Sequence, residues 1–234
     1  MNEKRKLHRR AACAALLGSG TGLVAASSLA AQPADVPAPR RRRLPALASE
    51  HFYDAEGAFD EQRARRAYLA LMRYYGFPIS DNLRENLFVA DFGLGAFAEV
   101  GLGGVIWVGE KEANYSSIEI FLLPDQMIPE HWHVALEDEG VAPKMESWIV
   151  RYGRTFTYGD GPATENPSVT VHPIQAEHVT ARHETPLGPG EVTGIRTPLE
   201  KHWQQAGPEG CILTEVSTYH DGRAVRFTDP RITF

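Results

Sequence analysis

Two imidazoles stand two residues apart in His131-Trp132-His133, behind Pro129, and Glu146 and His202 follow further along the chain. Successive side chains of a β-strand alternate between faces, so histidines at spacing two point the same way and offer two nitrogens to one ion. Glu146 differs from the carboxylates Glu137, Asp138 and Glu139 before it, which are expected to face solvent in a loop. It opens a run in which Glu146, Trp148 and Val150 share one face, and Trp148 is expected to border the substrate. Three imidazoles and one carboxylate suit one divalent ion, Mn2+, Fe2+, Ni2+ or Zn2+, with coordination positions left for a substrate. The chemistry of such a centre is Lewis-acid activation of a bound oxygen.

The elements that must hold these groups are mostly short and β-rich. From Leu87 onward apolar runs recur at 87–92, 105–108, 118–123, 147–152, 169–172, 212–218 and 224–227, punctuated by Gly, Pro, Asp and Asn. Strands at this spacing predict an all-β sandwich or jelly roll rather than alternating βαβ units. Asp221-Gly222 is read as a tight hairpin turn, and Gly101, Gly103 and Gly104 as bulge or close-packing positions. One helix is expected before the strands, over residues 61–75. There Ala64, Ala67, Tyr68, Leu71, Met72 and Tyr75 fall at spacings of three and four, with Asp60 as N-cap and Gly76 and Pro78 as the stop. Its apolar stripe is core packing against the sheet.

At 234 residues the chain fits one domain with appendages. Basic residues at 4–6 and 9–10 precede an apolar, Ala-rich run to Ala31, with Ser28-Leu29-Ala30 as a cleavage site. This reads as an export signal over residues 1–31, and the paired arginines point to the twin-arginine route. The mature protein is then periplasmic or extracellular, without stable membrane anchoring. Residues 32–49 read as a flexible Pro/Arg linker, and 50–234 as the folded domain. From Leu44 onward there are 15 Lys and Arg against 28 Asp and Glu, a net charge of −13 that repels nucleic acid. Cys211 is the only cysteine beyond the signal, so the mature chain has no intrachain disulfide.

The segment Gln126-Met127-Ile128-Pro129-Glu130-His131-Trp132-His133, with Glu146 and then Gly153, resembles the first motif of cupins. Pro189-Gly190-Glu191, with Pro198 and His202, resembles the second. Within cupins the chain is similar to the D-lyxose isomerases, sugar ketol-isomerases of carbohydrate metabolism. The resemblance rests on Asp91-Phe92-Gly93-Leu94-Gly95, Lys144-Met145-Glu146, His202-Trp203, Glu215-Val216-Ser217-Thr218, Asp221 and Arg226-Phe227, and spans about residues 87 to 230. It implies a mainly β, single cupin barrel with the helix packed on it, forming a homodimer. It also implies Mn2+ held by His131, His133, Glu146 and His202, and a sugar substrate whose carbonyl moves between the first two carbons.

Such a reaction needs a base that shuttles a proton through an enediol. Glu215 is the expected base, since alternation puts it with Ser217 and Tyr219 on one strand face; the structural alternative is pairing with Arg226. Lys144 is expected to stabilise the developing oxyanion, or else to form a rim salt bridge. Tyr219 and Arg226 complete the expected substrate contacts. Ile118 stands where the family carries a lysine, and the segment between His133 and Glu146 is longer than the family's. The same cage on a cupin also supports a lyase or an oxygenase, and a carbohydrate-binding cupin without catalysis is a third reading.

Overall fold

The computed structural model describes Leu44 and residues 47–233. The expected export signal and most of the expected linker lie outside the described residues. The described end of that linker is anchored to the domain. Leu44 and Leu47 pack against the helix layer, while Ser49 is buried, donates its hydroxyl to Glu99 and accepts a hydrogen bond from the Ala98 amide.

Helix α1 (Glu61–Tyr75) has the predicted limits. The Asp60 carboxylate accepts from the Arg63 amide, and Gly76 ends the helix in the left-handed conformation at φ 71°. All six residues of the predicted stripe are buried. They face Phe97, Val105, Phe121 and Ile212 on the outside of the barrel. A second helix, α2 (Asp81–Asn86), capped by Ser80, was not legible, because six residues are too few to show a period.

Nine strands follow: β1 (Phe88–Ala90), β2 (Leu102–Glu110), β3 (Tyr115–Leu122), β4 (Met127–His133), β5 (Glu146–Gly159), β6 (His183–Leu187), β7 (Val192–Gly194), β8 (His202–Ser217) and β9 (Val225–Phe227). All pair antiparallel, in the order β1-β2-β3-β8-β4-β9, with β5 joining β6, β7 and β8. The two long strands make the barrel. The second half of β8 pairs with β3 and its first half with β4, and β5 runs beside both halves. One wall is therefore β1, β2, β3, late β8, early β5 and β7; the facing wall is β9, β4, early β8, late β5 and β6. This is the expected jelly roll.

Two expectations at the strand level are corrected. Residues 169–172 form no strand. Val169 and Val171 pack against the core from a loop, so their alternation serves burial without a ladder. Asp221-Gly222 does not close a hairpin, since β9 pairs with β4 and not with β8; Asp221 instead caps a short 3-10 turn, Gly222–Ala224. The glycines before and within β2 are close-packing positions as expected. A Cβ at Gly103 would lie 2.5 Å from the Tyr68 ring, and one at Gly101 2.5 Å from the Gln126 amide nitrogen. Gln126 ties helix to barrel: its Oε1 accepts from the Tyr68 hydroxyl at 2.8 Å and from the Leu123 amide at 2.9 Å.

Candidate active site

Strand β4 carries His131 and His133 on its inner face, and His131 is directly opposite His202 across the β4–β8 ladder. Early β5 brings Glu146 from the facing wall. One ligand atom from each of these four residues lies within 4.8 Å of the others. The Glu146 carboxylate is central, with Oε1 2.8 Å from His202 Nε2 and 3.1 Å from His133 Nε2.

The surrounding backbone fixes how the histidines present themselves. The Nδ1 atoms of His131 and His202 lie 2.9 Å from the Pro129 and Glu200 carbonyl oxygens. A carbonyl only accepts, so each Nδ1 carries a proton, which leaves Nε2 as the ring atom available to a ligand. His202 Nε2 has no hydrogen-bond partner despite its approach to Glu146, because the geometry lacks direction. A buried ring nitrogen turned toward a carboxylate is the arrangement a cation reconciles. Burial holds His131 well below the usual histidine range, assisted by His202 and His133, and burial likewise lowers His133. Neutral imidazoles are the ligating form. The donor set and its protonation therefore fit a divalent ion.

Strand β4 is itself pinned from behind. Glu130, buried between Pro129 and His131, accepts from the Thr180 and Ala181 amides at 2.6 and 2.7 Å and from the Thr180 and Thr228 hydroxyls at 2.8 and 2.6 Å. Nothing in the spacing of the histidines reveals this support.

Lys144 is buried rather than on the rim. Its Nζ lies 2.5 Å from Glu146 and 2.6 Å from Glu215, so one ammonium bridges two buried carboxylates. Burial alone would lower the Lys144 pKa, but the two carboxylates outweigh it and hold the ammonium charged. Burial likewise pushes Glu146 up, and Lys144 with the two histidine contacts more than reverses that, leaving it ionised. Glu215 goes the other way. Burial, with the charge of Glu146, raises its carboxyl to about 7 against the opposing pull of Lys144. Two neighbouring carboxyl groups are thus separated in proton affinity, as acid–base chemistry near neutrality needs.

A cavity of about 300 Å³ opens onto His131, His133, Lys144, Glu146, Trp148 and Glu215. It does not receive Tyr219 or Arg226. Strand β8 ends at Ser217, so alternation does not extend to Tyr219, whose amide bonds to Asn114. On β9, Val225 and Phe227 face the cavity while Arg226 is exposed and donates to the Arg223 and Val225 carbonyls. Glu215 is accordingly paired with Lys144 and not with Arg226. His220, absent from the set that the spacing selects, takes the inward position instead, its ring centroid 5.1 Å from that of His133. Burial pushes its pKa down to about 3, so it is neutral. The turn at Asp221-Gly222 is the only sequence signal that the strand stops before it. A larger groove of about 690 Å³ between α1 and residues 168–173 contains none of the cage residues or Glu215.

An antiparallel jelly roll with three histidines and a glutamate converging inside it defines a protein of the cupin type. The chain is 39% identical over 167 residues to a D-lyxose/D-mannose isomerase of Thermosediminibacter oceani, covering 71% of this chain and 89% of that one. It is 35% identical over 171 residues to a D-lyxose ketol-isomerase of Cohnella laeviribosi, covering 73% and 91%. The chain belongs to the D-lyxose isomerase family. No protein-family model matches it. Among solved structures, L-ribose isomerases of Acinetobacter sp. DL28 and Cellulomonas parahominis share the fold, with TM-scores of 0.57 and 0.58 at 13% and 14% identity. They cover 78% and 77% of this chain and 95% of each of theirs.

Proposed function

We propose that the protein is a metal-dependent aldose–ketose isomerase acting on sugars of the D-lyxose and D-mannose type. The observation that carries this reading is the placement of Glu215, with its raised proton affinity, in the same small cavity as His131, His133 and Glu146, three of the four residues of the cage. Kinship at 39% identity to a D-lyxose/D-mannose isomerase supports it. The four cage residues would hold the ion, with Mn2+ proposed. When bound, a divalent ion supplies polarisation of the sugar carbonyl and acidifies the neighbouring C–H.

The chain's own residues divide the remaining work. Glu215, ionised, takes the proton from the carbon beside the carbonyl; the C–H electron pair becomes the C=C bond and the carbonyl π pair moves onto its oxygen, giving an enediolate. The carboxylic acid so formed returns the proton to the former carbonyl carbon, while the hydroxyl proton of the second carbon passes to the first oxygen. Lys144 keeps the pair of carboxylates in place and lends positive charge to the oxygen on which negative charge develops. Trp148, opposite Glu215 on β5, closes the wall behind the reacting carbons.

Isomerisation of D-lyxose or D-mannose in deuterated water tests the proton route. Glu215 is buried but opens onto the cavity, where water can exchange the migrating proton, so deuterium is expected in the product. Turnover with complete retention of the substrate hydrogen would replace the Glu215 route by a hydride shift.

A further inference from the structure

The course of β5 and β8 gives the cavity a closed end. Both strands pass from one barrel wall to the other between the pairs Gly153–Cys211 and Thr155–Ala206. Toward that crossing, Trp148 and Glu215 are followed on the inner face by Val150 and Leu213, opposite each other and buried, with Ile120 opposite Leu213 on β3. On the facing wall His202 is followed by Gln204, opposite Ile128 on β4. His133 lies on the other side of the His131–His202 pair, with the half-buried His220 beside it. Ile120 and Ile128 line the cavity at its closed end, and among the described residues Gln204 is the only polar side chain that lines it there.

Gln204 is 2% exposed, and its Oε1 is buried without a protein partner. Thr157, opposite it on β5, does not satisfy it, since the Thr157 hydroxyl is also unpartnered. A buried amide oxygen facing hydrocarbon calls for a donor, and the cavity onto which it opens is where a donor can arrive.

We propose that Gln204 is a specificity-determining residue whose Oε1 accepts a hydrogen bond from one non-reacting hydroxyl of the sugar, the one directed toward the closed end by the cage and Glu215. A sugar lacking that hydroxyl, or carrying it in the inverted configuration, leaves the amide oxygen unpaired against Ile120 and Ile128 and is rejected. The effect on turnover rests on the isomerase reading, while the effect on binding stands on the cavity alone.

The test measures calorimetric affinity, kcat and KM on the metal-loaded protein for D-mannose and its analogues lacking the hydroxyl at carbon three, four, five or six. Wild type is compared with Gln204→Met, which keeps the length of the side chain and removes the acceptor, and with Thr157→Val. In the wild type one analogue is expected to bind about tenfold or more weakly than D-mannose. Gln204→Met should weaken D-mannose by a similar factor, through KM with kcat largely kept, and should not weaken that analogue further. Thr157→Val should leave the affinities unchanged, and both variants should retain wild-type metal content. Should Gln204→Met fail to fold, Gln204→Asn, which withdraws the amide by one methylene, is read in the same way.

This affinity pattern without turnover of any sugar would sink the isomerase reading and leave the inference standing. Turnover with equal affinity for D-mannose and every analogue, or with the same penalties in wild type and Gln204→Met, would overturn the inference and leave the isomerase reading standing. A loss of sugar affinity in Thr157→Val equal to that in Gln204→Met would make the pair a structural contact and overturn it as well, as would the absence of any sugar binding.

Discussion

Glu215 and His202 stand on the same strand, yet their substitution should fail in different ways. Glu215→Gln preserves shape and removes the base. Sugar isomerisation should fall by about a hundredfold or more while metal content and sugar binding persist; turnover at the wild-type rate would remove Glu215 from the mechanism. His202→Ala removes the buried Nε2 of a ring oriented by the Glu200 carbonyl. Metal content after dialysis should drop first, and full retention would contradict the cage. The shared face of His131 and His133 was legible because spacing two within a strand fixes the face. The outer substrate contacts were not. Extending the alternation past Ser217 points Tyr219 inward, whereas the chain leaves the strand there and His220 takes that position. Arg226 was misplaced for a related reason, since the pairing of β9 with β4 decides which of its side chains turn in.

The helix shows what local pattern reveals well. Its cap, stripe and stop all reside within a few turns of chain, and α1 (Glu61–Tyr75) has the expected bounds. Leu71 is fully buried against the barrel exterior and remote from the cage. Leu71→Ala should cost about 2–5 kcal/mol in stability, read by denaturant unfolding, with metal content unchanged. An unaltered unfolding midpoint would mean the helix is not packed there. The strands were only partly legible. Their apolar alternation locates β3, early β5 and late β8, but the first half of β8, Trp203 to Ala206, mixes large, polar and small residues that are all buried between neighbours. Burial on both faces erases the period of two. The same physics worked in reverse at Val169–His172, where alternation without a partner strand makes a packed loop.

At the scale of the whole molecule, an acidic domain follows a basic, Ala-rich segment. We propose that the protein is exported and that the mature chain begins near Ala31 or Gln32; amino-terminal sequencing from the native host should find that start, and an intact Met1 in the cytoplasmic fraction would refute it. Fold and chemistry meet at the seam between the two barrel walls. Three histidines come from one wall, Glu146 and Glu215 from the other, and Lys144 links the two carboxylates. The central claim is that this seam is a metal-dependent sugar isomerase. It is tested most directly by following D-lyxose and D-mannose conversion to their ketoses before chelation, after chelation and after adding back Mn2+. The account predicts conversion that disappears with the metal and returns with it. Conversion unaffected by complete metal removal, or none by the fully loaded protein, would contradict it.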